Sequence, residues 1–594
     1  MLFSATLFSC EDYLQTDSPS VFTEATSFSN IDFAEKVLNG AYDNLASTYL
    51  FGSYFLWYNC DSDIEFITAA NNGGTFNIAH YDADESISHL NTWWNLLYSS
   101  IERANICIDN LPLSPIWEGE HAKEAHRIYA EAKTIRALCY YELIKLFGDV
   151  PFKLTSTQAD DNYYLPKTDR DEIYEYLIED LKEVEPLLPW MRETNTTERV
   201  NKAFLKGLRA RMALSYAGFS LRNKTYETRR GRHWEEYYKI ANTECRELIE
   251  SNEHGLNPSF ESIFKTLQAY SQDLSTKEVL FEIALGRFVS GRIGYDIGML
   301  FGFTNPSTKY GRGVGTIRTS PYYFYSFDTE DLRRNVSVEL YTYGQSGYAD
   351  VQRLIGAGGT EFRPTKWRKS WITPAMGGDN QTVQHTGVNW PMMRYADILL
   401  MYAETENQIN GGPTQAAIEA LKEVRKRAFP EEQWASKVDA YVDAVSTSQE
   451  LFFDAIVDER AWEFGGEMLR KTDLVRWNLL GEKLTEMKEE SLKIVHDDPK
   501  YQALVPTYIF WRLESDGETI DILNPDYRLP STAIPGYERS TWLPLSSANS
   551  KTAFAAALDN VAHGYDPAKN NHLYPININT ITASNGVLQN DQIP

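Results

Sequence analysis

The chain contains no run of about 18 consecutive apolar residues, so no helix in it is built to cross a bilayer. Cysteine is scarce, and Cys10, Cys60, Cys107, Cys139 and Cys245 include no C-x-x-C pair, which removes the usual spacing of zinc knuckles and thioredoxin-like redox sites. His121 and His126 stand five apart, out of register with the H-E-x-x-H helix of zinc peptidases, and no G-x-S-x-G elbow occurs. Gly311-Arg312-Gly313-Val314-Gly315 is rich in glycine, but it follows no clear strand and opens no helix, so it makes a poor phosphate loop. Positive charge is also short. Lys and Arg number 57 against 83 Asp and Glu, for a net charge of −26 and an isoelectric point near 4.9. That balance argues against a nucleic-acid partner, which needs a basic stripe, and against simple adhesion to anionic lipid. It suits a highly soluble extracytoplasmic body. Neither a catalytic constellation, a metal-ligand set nor a cofactor motif emerges. Carboxylate pairs are plentiful, but the separation in space that defines a glycosidase pair is not written in a sequence.

What the chain does have is length, helical period and aromatic rings. Its 594 residues are 43% hydrophobic, enough for a large core, and length alone suggests about three or four domains. Leu90, Trp94, Leu97, Ile101, Ala104, Ile108 and Leu111 step alternately by four and three and stop at Pro112. Ile128 to Leu146 forms a second stripe, closed by Gly148-Asp149-Val150-Pro151. A third helix opens with Thr168 and Asp171 in capping-box spacing. Further helices are expected near Asn201 to Phe219 and along Trp234, Tyr238, Ala241, Cys245 and Leu248. Cys139 and Cys245 fall on apolar stripes and read as buried small hydrophobes. From about Leu256 to Gln384 the helical period fades and Gly, Tyr, Thr and Arg rise; Glu278 to Ile283 looks like a short strand there.

Two later blocks carry charges at fixed offsets inside apolar runs. In the first, Arg394 and Asp397 stand three apart before an all-apolar stretch at 398 to 403, which predicts a helix buried on every side. It pairs with a helix carrying Ala417, Leu421, Val424 and Ala428 across Gly411-Gly412-Pro413. In the second, Glu459 and Glu463 stack at i,i+4, and Arg470, Asp473 and Arg476 follow at steps of three. Charges persist in a core only when paired and hydrogen-bonded, so the blocks read as a structural ion lattice, with a carboxylate active site as the sharper alternative.

These blocks resemble the SusD/RagB family of outer-membrane nutrient-binding lipoproteins. Arg394 to Asp397, Leu399 to Met401, Ala403 and Glu404 match one family block; Glu459, Arg460, Glu463, Gly466, Glu467, Arg470, Asp473, Leu474, Arg476 and Trp477 match the other. Trp94-Asn95-Leu96-Leu97-Tyr98 is similar to the family's W-x-x-L-Y helix, and Phe327-Asp328 with Asp331 and Arg333 to its F-x-x-x-D-x-R segment. The resemblance runs from Cys10 to Asn590, with Asn577 standing where the family usually has proline. It implies a mostly α fold: tetratricopeptide-like helical hairpin repeats packed against an irregular, loop-rich region with a few short strands. Residues 1–10 are expected to be a signal remnant and lipobox, since Leu7-Phe8-Ser9-Cys10 resembles one, with Cys10 as the lipid anchor. The remainder, 11–594, is expected to form one domain: a helical body over about 31–255 and 390–480, a ligand-side region over about 256–389, and an irregular C-terminal region over 481–594.

The resemblance also implies a function. A surface-exposed outer-membrane lipoprotein would capture an oligosaccharide or polysaccharide and deliver it to a SusC-like TonB-dependent transporter. It would use neither catalysis nor cofactor. Aromatic rings suit the apolar face of a sugar, and neighbouring polar groups its hydroxyls. The candidate rings lie in polar loops at 51–81, 301–325 and 367–371, and the residues singled out for ligand binding are Tyr81, Asn72 and Tyr310. A polysaccharide-degrading enzyme and a tetratricopeptide-type scaffold for protein partners are the competing readings.

Overall fold

The computed structural model describes residues 28–69, 74, 76–302, 307–344, 350–377 and 383–591. The fold is mostly α. Helices α1 (Ile31–Leu45), α2 (Ser88–Asn110) and α3 (Ala122–Phe147) pack consecutively, followed by α4 (Arg170–Val184), α5 (Lys202–Ala217) and α6 (Trp234–Glu250). Asn30 and Asn201 cap α1 and α5 by accepting the N–H groups of Phe33 and Phe204. The third helix starts one residue later than Thr168 suggested: Asp169 is its cap, and Thr168 pairs with Val150 in a two-residue ladder. Cys60, Cys107, Cys139 and Cys245 are all buried and unpaired.

The all-apolar segment becomes α7 (Tyr395–Asn410), buried along nearly its whole length between α6, α8 (Gln415–Lys426) and α9 (Gln449–Phe464). Its end is set by Gly411, which takes φ +66. The expected strand is β1 (Val279–Ile283), antiparallel to β2 (Trp390–Arg394). This two-stranded ladder runs under α5 so closely that a Cβ on Gly207 would strike Met393 Sδ.

The charged blocks form two buried lattices. Arg394 ends β2 rather than lying on the helix surface. It does not pair with Asp397, as the three-residue spacing suggested, because strand geometry turns it toward the other side. There it bonds Glu278 and Glu467 at 2.7 Å and Glu463 at 2.8 Å. Arg333 joins Glu459 at 2.6 Å to Glu463 at 3.2 Å, and Lys366 donates to Glu467 at 2.7 Å. Asp397 instead sits between Arg460 and Arg211, both at 2.6 Å. From Arg460 the second lattice continues through Asp473 and Arg476 to Glu404. Burial alone would raise the Glu463 carboxyl, but Arg427, Arg394 and Arg333 hold it down to about 2. Arg470 leaves this row and forks onto Asp63, in the loop after α1, at 2.7 and 2.8 Å.

The C-terminal stretch is more regular than its composition suggested. It contains α10 (Leu480–Val495), a three-stranded antiparallel sheet in which Tyr508–Leu513 is central, and helix Ala548–Asn560. They close a second apolar cluster with Tyr323, Phe324, Trp477 and Trp542.

One buried histidine gives a pH test of the frame. His254 is 8% exposed; its Nδ1–H donates to the Lys277 carbonyl at 2.6 Å and its Nε2 has no partner. Burial pushes it down from 6.5 to about 4. The folded protein therefore keeps it neutral where the unfolded chain already binds a proton. Its contribution is intact above pH 6.5 and is lost as pH falls from there toward 4. In His254→Gln, denaturant titrations across that window are expected to lose one proton's share of the slope, about 1.4 kcal/mol per pH unit.

Candidate functional site

Most of the aromatic residues in the candidate loops turn inward. Trp57, Tyr58 and Phe301 are buried, Trp367 donates its indole N–H to the Gly466 carbonyl, and the Tyr323 hydroxyl donates to the Ala461 carbonyl. Tyr81 is among them, against expectation. It is 6% exposed, its hydroxyl donates to the Asp61 carbonyl at 2.8 Å, and the Lys471 ammonium covers its ring at 3.9 Å. The positive φ of Tyr81, +61, swings the side chain under the loop instead of out of it. Little ring remains for a ligand. Asn72, Phe303 and Cys10 lie outside the described residues.

Tyr310 does reach the surface, half-buried, at the edge of a small aromatic cluster. Phe301 and Tyr343 stack almost parallel, 4.5 Å apart, and Tyr310 meets them edge-on at 5.8 and 5.1 Å. The turn carrying it is tied by Asp350, which accepts from Ser307, Thr308 and the Lys309 N–H, while the Ser307 hydroxyl accepts the Tyr310 N–H at 2.7 Å. Tyr341, also half-buried, sits on the strand Tyr341–Tyr343 beside this cluster. Its hydroxyl accepts from Arg368 at 3.0 Å, and the Arg368 guanidinium lies 4.0 Å from the centre of the half-buried Trp371 ring. Lys265, paired with Glu261, lies 5.2 Å from the centre of that ring. Tyr310, Tyr341, Arg368 and Trp371 thus form a connected run of flat faces and donors. Below it, the buried Lys369 donates to the Arg312 carbonyl at 2.7 Å, fixing the glycine-rich segment; burial pushes this lysine down to about 7.

A second ring cluster joins the first through Arg292. Tyr49, 46% exposed, contacts Tyr54 and His89, and Tyr54 contacts Trp57, which meets Phe76. Arg292 packs over Tyr54 and Tyr295, and Lys369 lies 5.6 Å from Tyr295. Tyr49, Tyr54 and Tyr341 were not singled out from the sequence. Tyr49 follows a helix and Tyr341 lies in a strand, so neither sits in a recognisable polar loop.

Carboxylates face a cavity at another place. Glu459, Glu463 and Glu467 do not: each is locked in the buried lattice. Asp458, beside them in sequence, lines a cavity of about 370 Å³ with Glu486, Tyr322, Trp462 and Tyr501. Burial raises Asp458 to about 6, whereas Glu486 accepts from Tyr322 and Lys483 at 2.7 and 2.8 Å. Among the described residues, Glu185, Glu244 and Glu247 cluster closely enough for a metal ion, but the Lys206 ammonium sits among them at 3.0, 3.2 and 2.6 Å.

Residues 338–592 match the model of the SusD family, and residues 12–214 match a model described as starch-binding, associating with the outer membrane. A SusD-like protein of Formosa agariphila is 25% identical over 513 residues, covering 81% of this chain and 89% of its own length. The chain belongs to the SusD/RagB family. Its SusD-like fold extends over whole chains: a SusD homologue of Bacteroides thetaiotaomicron superposes with a TM-score of 0.74 at 20% identity, covering 96% of this chain and 98% of that one. Surface glycan-binding protein A of the same organism, solved in complex with laminarihexaose, gives 0.58 at 17% identity, covering 94% and 99%. Tyr310 falls between the two family-model matches, in the part of a SusD-like chain that neither describes. Among the described residues no helix is long and apolar enough to cross a membrane.

Proposed function

We propose that this SusD-like chain is a surface-exposed lipoprotein that captures an oligosaccharide and passes it to a SusC-like TonB-dependent outer-membrane transporter. The observation that carries the ligand class is the connected run Tyr310–Tyr341–Arg368–Trp371, rigidly backed and half-open, on the loop side of an inert helical frame. Flat rings bury the C–H faces of sugars at little entropic cost, the buried Arg368 holds Tyr341 and Trp371 in place from beneath, and the exposed Lys309 supplies a donor at the margin. A structural neighbour that holds laminarihexaose supports the same ligand class. Cys10 would carry the lipid anchor, Asn72 would add a side-chain amide to the ligand surface, and the helical-hairpin face would dock the transporter.

The competing reading, hydrolysis, is favoured by one observation, the pairing of a raised Asp458 with Glu486 in an aromatic-walled cavity. Calorimetry and product analysis separate the two. Titration with a panel that includes laminarihexaose and starch oligosaccharides is expected to give saturable binding, and prolonged incubation to return each glycan at its original length. Shortened products that disappear in Asp458→Asn would replace the binding reading with the enzymatic one.

A further inference from the structure

Beneath the helical body, a cavity of about 50 Å³ lies where six parts of the chain meet: Tyr58, the end of α3, the start of α4, residues 215–220, the helix Arg470–Trp477 and the segment at 572–573. Four cationic side chains line it, Lys145, Arg170, Lys471 and Arg476, and no carboxylate does. Two of the four are matched elsewhere: Arg476 by Glu404 and Asp473, and Lys145 by Glu142 at 2.7 Å. The other two are not. The nearest carboxylate oxygen to Arg170 is Asp171 Oδ1 at 4.0 Å, and Asp171 is already shared with Arg222 and Arg229. Asp149 accepts only the backbone N–H of Arg170. Lys471 donates to the Tyr58 carbonyl and the Tyr574 hydroxyl, both neutral, while its acidic neighbour Asp61 is engaged by His80 and the N–H groups of Ile67 and Ala562.

Three buried polar atoms complete the picture. Arg170 Nε, Tyr174 Oη and Ser220 Oγ have no hydrogen-bond partner, on residues 5%, 0% and 1% exposed, and all three residues line this cavity. Each can donate. Buried donors without acceptors are rare in folded proteins, and burial without a carboxylate partner pushes both Arg170 and Lys471 down, Lys471 to about 7, so an anion between them would restore their charge. We propose that the cavity holds one monovalent inorganic anion of the chloride class, accepting from Arg170, Tyr174 and Ser220 and offsetting the charges of Arg170 and Lys471. A halide accepts from all three donors and brings no hydrogen that needs an acceptor of its own. The volume of about 50 Å³ exceeds the about 10–15 Å³ that one water requires and leaves room for a larger monatomic ion. His572 on the same wall is held neutral, pushed down to about 3 by burial and then by Arg170 and Lys471, so it brings no positive charge of its own to the cavity. The anion would pin the C-terminal segment at 572–574 to the helical body, a role separate from glycan binding.

Bromide replaces chloride and scatters anomalously, which makes the test direct. Crystals of the full chain soaked in bromide are expected to show an anomalous peak between Arg170, Tyr174 and Ser220. In solution, exchanging gluconate for chloride at matched ionic strength is expected to raise the thermal midpoint by about 2 °C or more. Tyr174→Phe with Ser220→Ala, which keeps every charge, is expected to lose most of that rise. An anomalous map with no peak in the cavity, or identical midpoints in the two salts, would overturn the assignment and leave the site to water.

Discussion

Arg394→Met is expected to destabilise the protein by about 3–5 kcal/mol, enough to remove a large part of the stability of an ordinary domain. The guanidinium is 1% exposed and joins Glu278, just before β1, Glu463, in the last turn of α9, and Glu467, in the turn that follows it. Removing it leaves three buried carboxylates facing one another with Arg427, Arg333 and Lys366 to share among them. The cost comes from desolvated charge without a partner, not from the lost contacts alone. Arg512→Met is the control. Its pair with Asp521 at 2.9 Å is half in solvent, and an exposed pair of this kind is worth at most about 1 kcal/mol. Denaturant titrations of both variants decide the matter: equal small effects would mean that the lattice is not what holds the frame.

Trp371→Ala and Tyr310→Ala are expected each to weaken glycan binding about 5–30-fold, from about 1–2 kcal/mol of ring contact apiece, with little change in thermal stability. Both rings are half-buried and end in no hydrogen bond to a buried group, so truncation removes surface and not core. Tyr81→Phe is expected to do the reverse. Its hydroxyl satisfies the Asp61 carbonyl inside the fold, so its loss lowers stability and leaves glycan affinity unchanged. Calorimetry on the three variants, with Trp371→Phe as a conservative check, separates a ligand platform from loop packing. Unchanged affinity in both alanine variants would move the binding surface elsewhere, most directly to the rings around Tyr49 and Tyr54.

The frame was largely legible before any coordinates. Apolar residues recurring at three and four positions mark α2, α3, α5 and α6, because burial of one stripe is a local, repetitive demand on the chain, and an unbroken apolar run marks α7. The lattice residues were legible as a set, since charges inside apolar runs must find partners. Their pairings were not. Arg394 and Asp397 are neighbours in sequence but belong to different lattices, because the strand ends at Arg394 while Asp397 already lies in the first turn of the helix. The C-terminal sheet was missed because its strands are short and separated by Gly, Pro and Asp: 508–513 turns directly back onto 520–522, and 538–541 joins it only after a long loop.

Local periodicity, then, fixed which segments are helices, which charges had to be buried together, and which family this chain resembles. Which loop aromatics reach solvent was decided only by tertiary structure. Tyr81 and Tyr310 sit in similar polar, glycine-bearing surroundings, yet one is folded under Lys471 and the other stands beside Phe301 and Tyr343 at the surface. The reason is physical. A ring gains by leaving water wherever a partner is offered, and the partners of loop residues come from distant segments whose arrival no local pattern records.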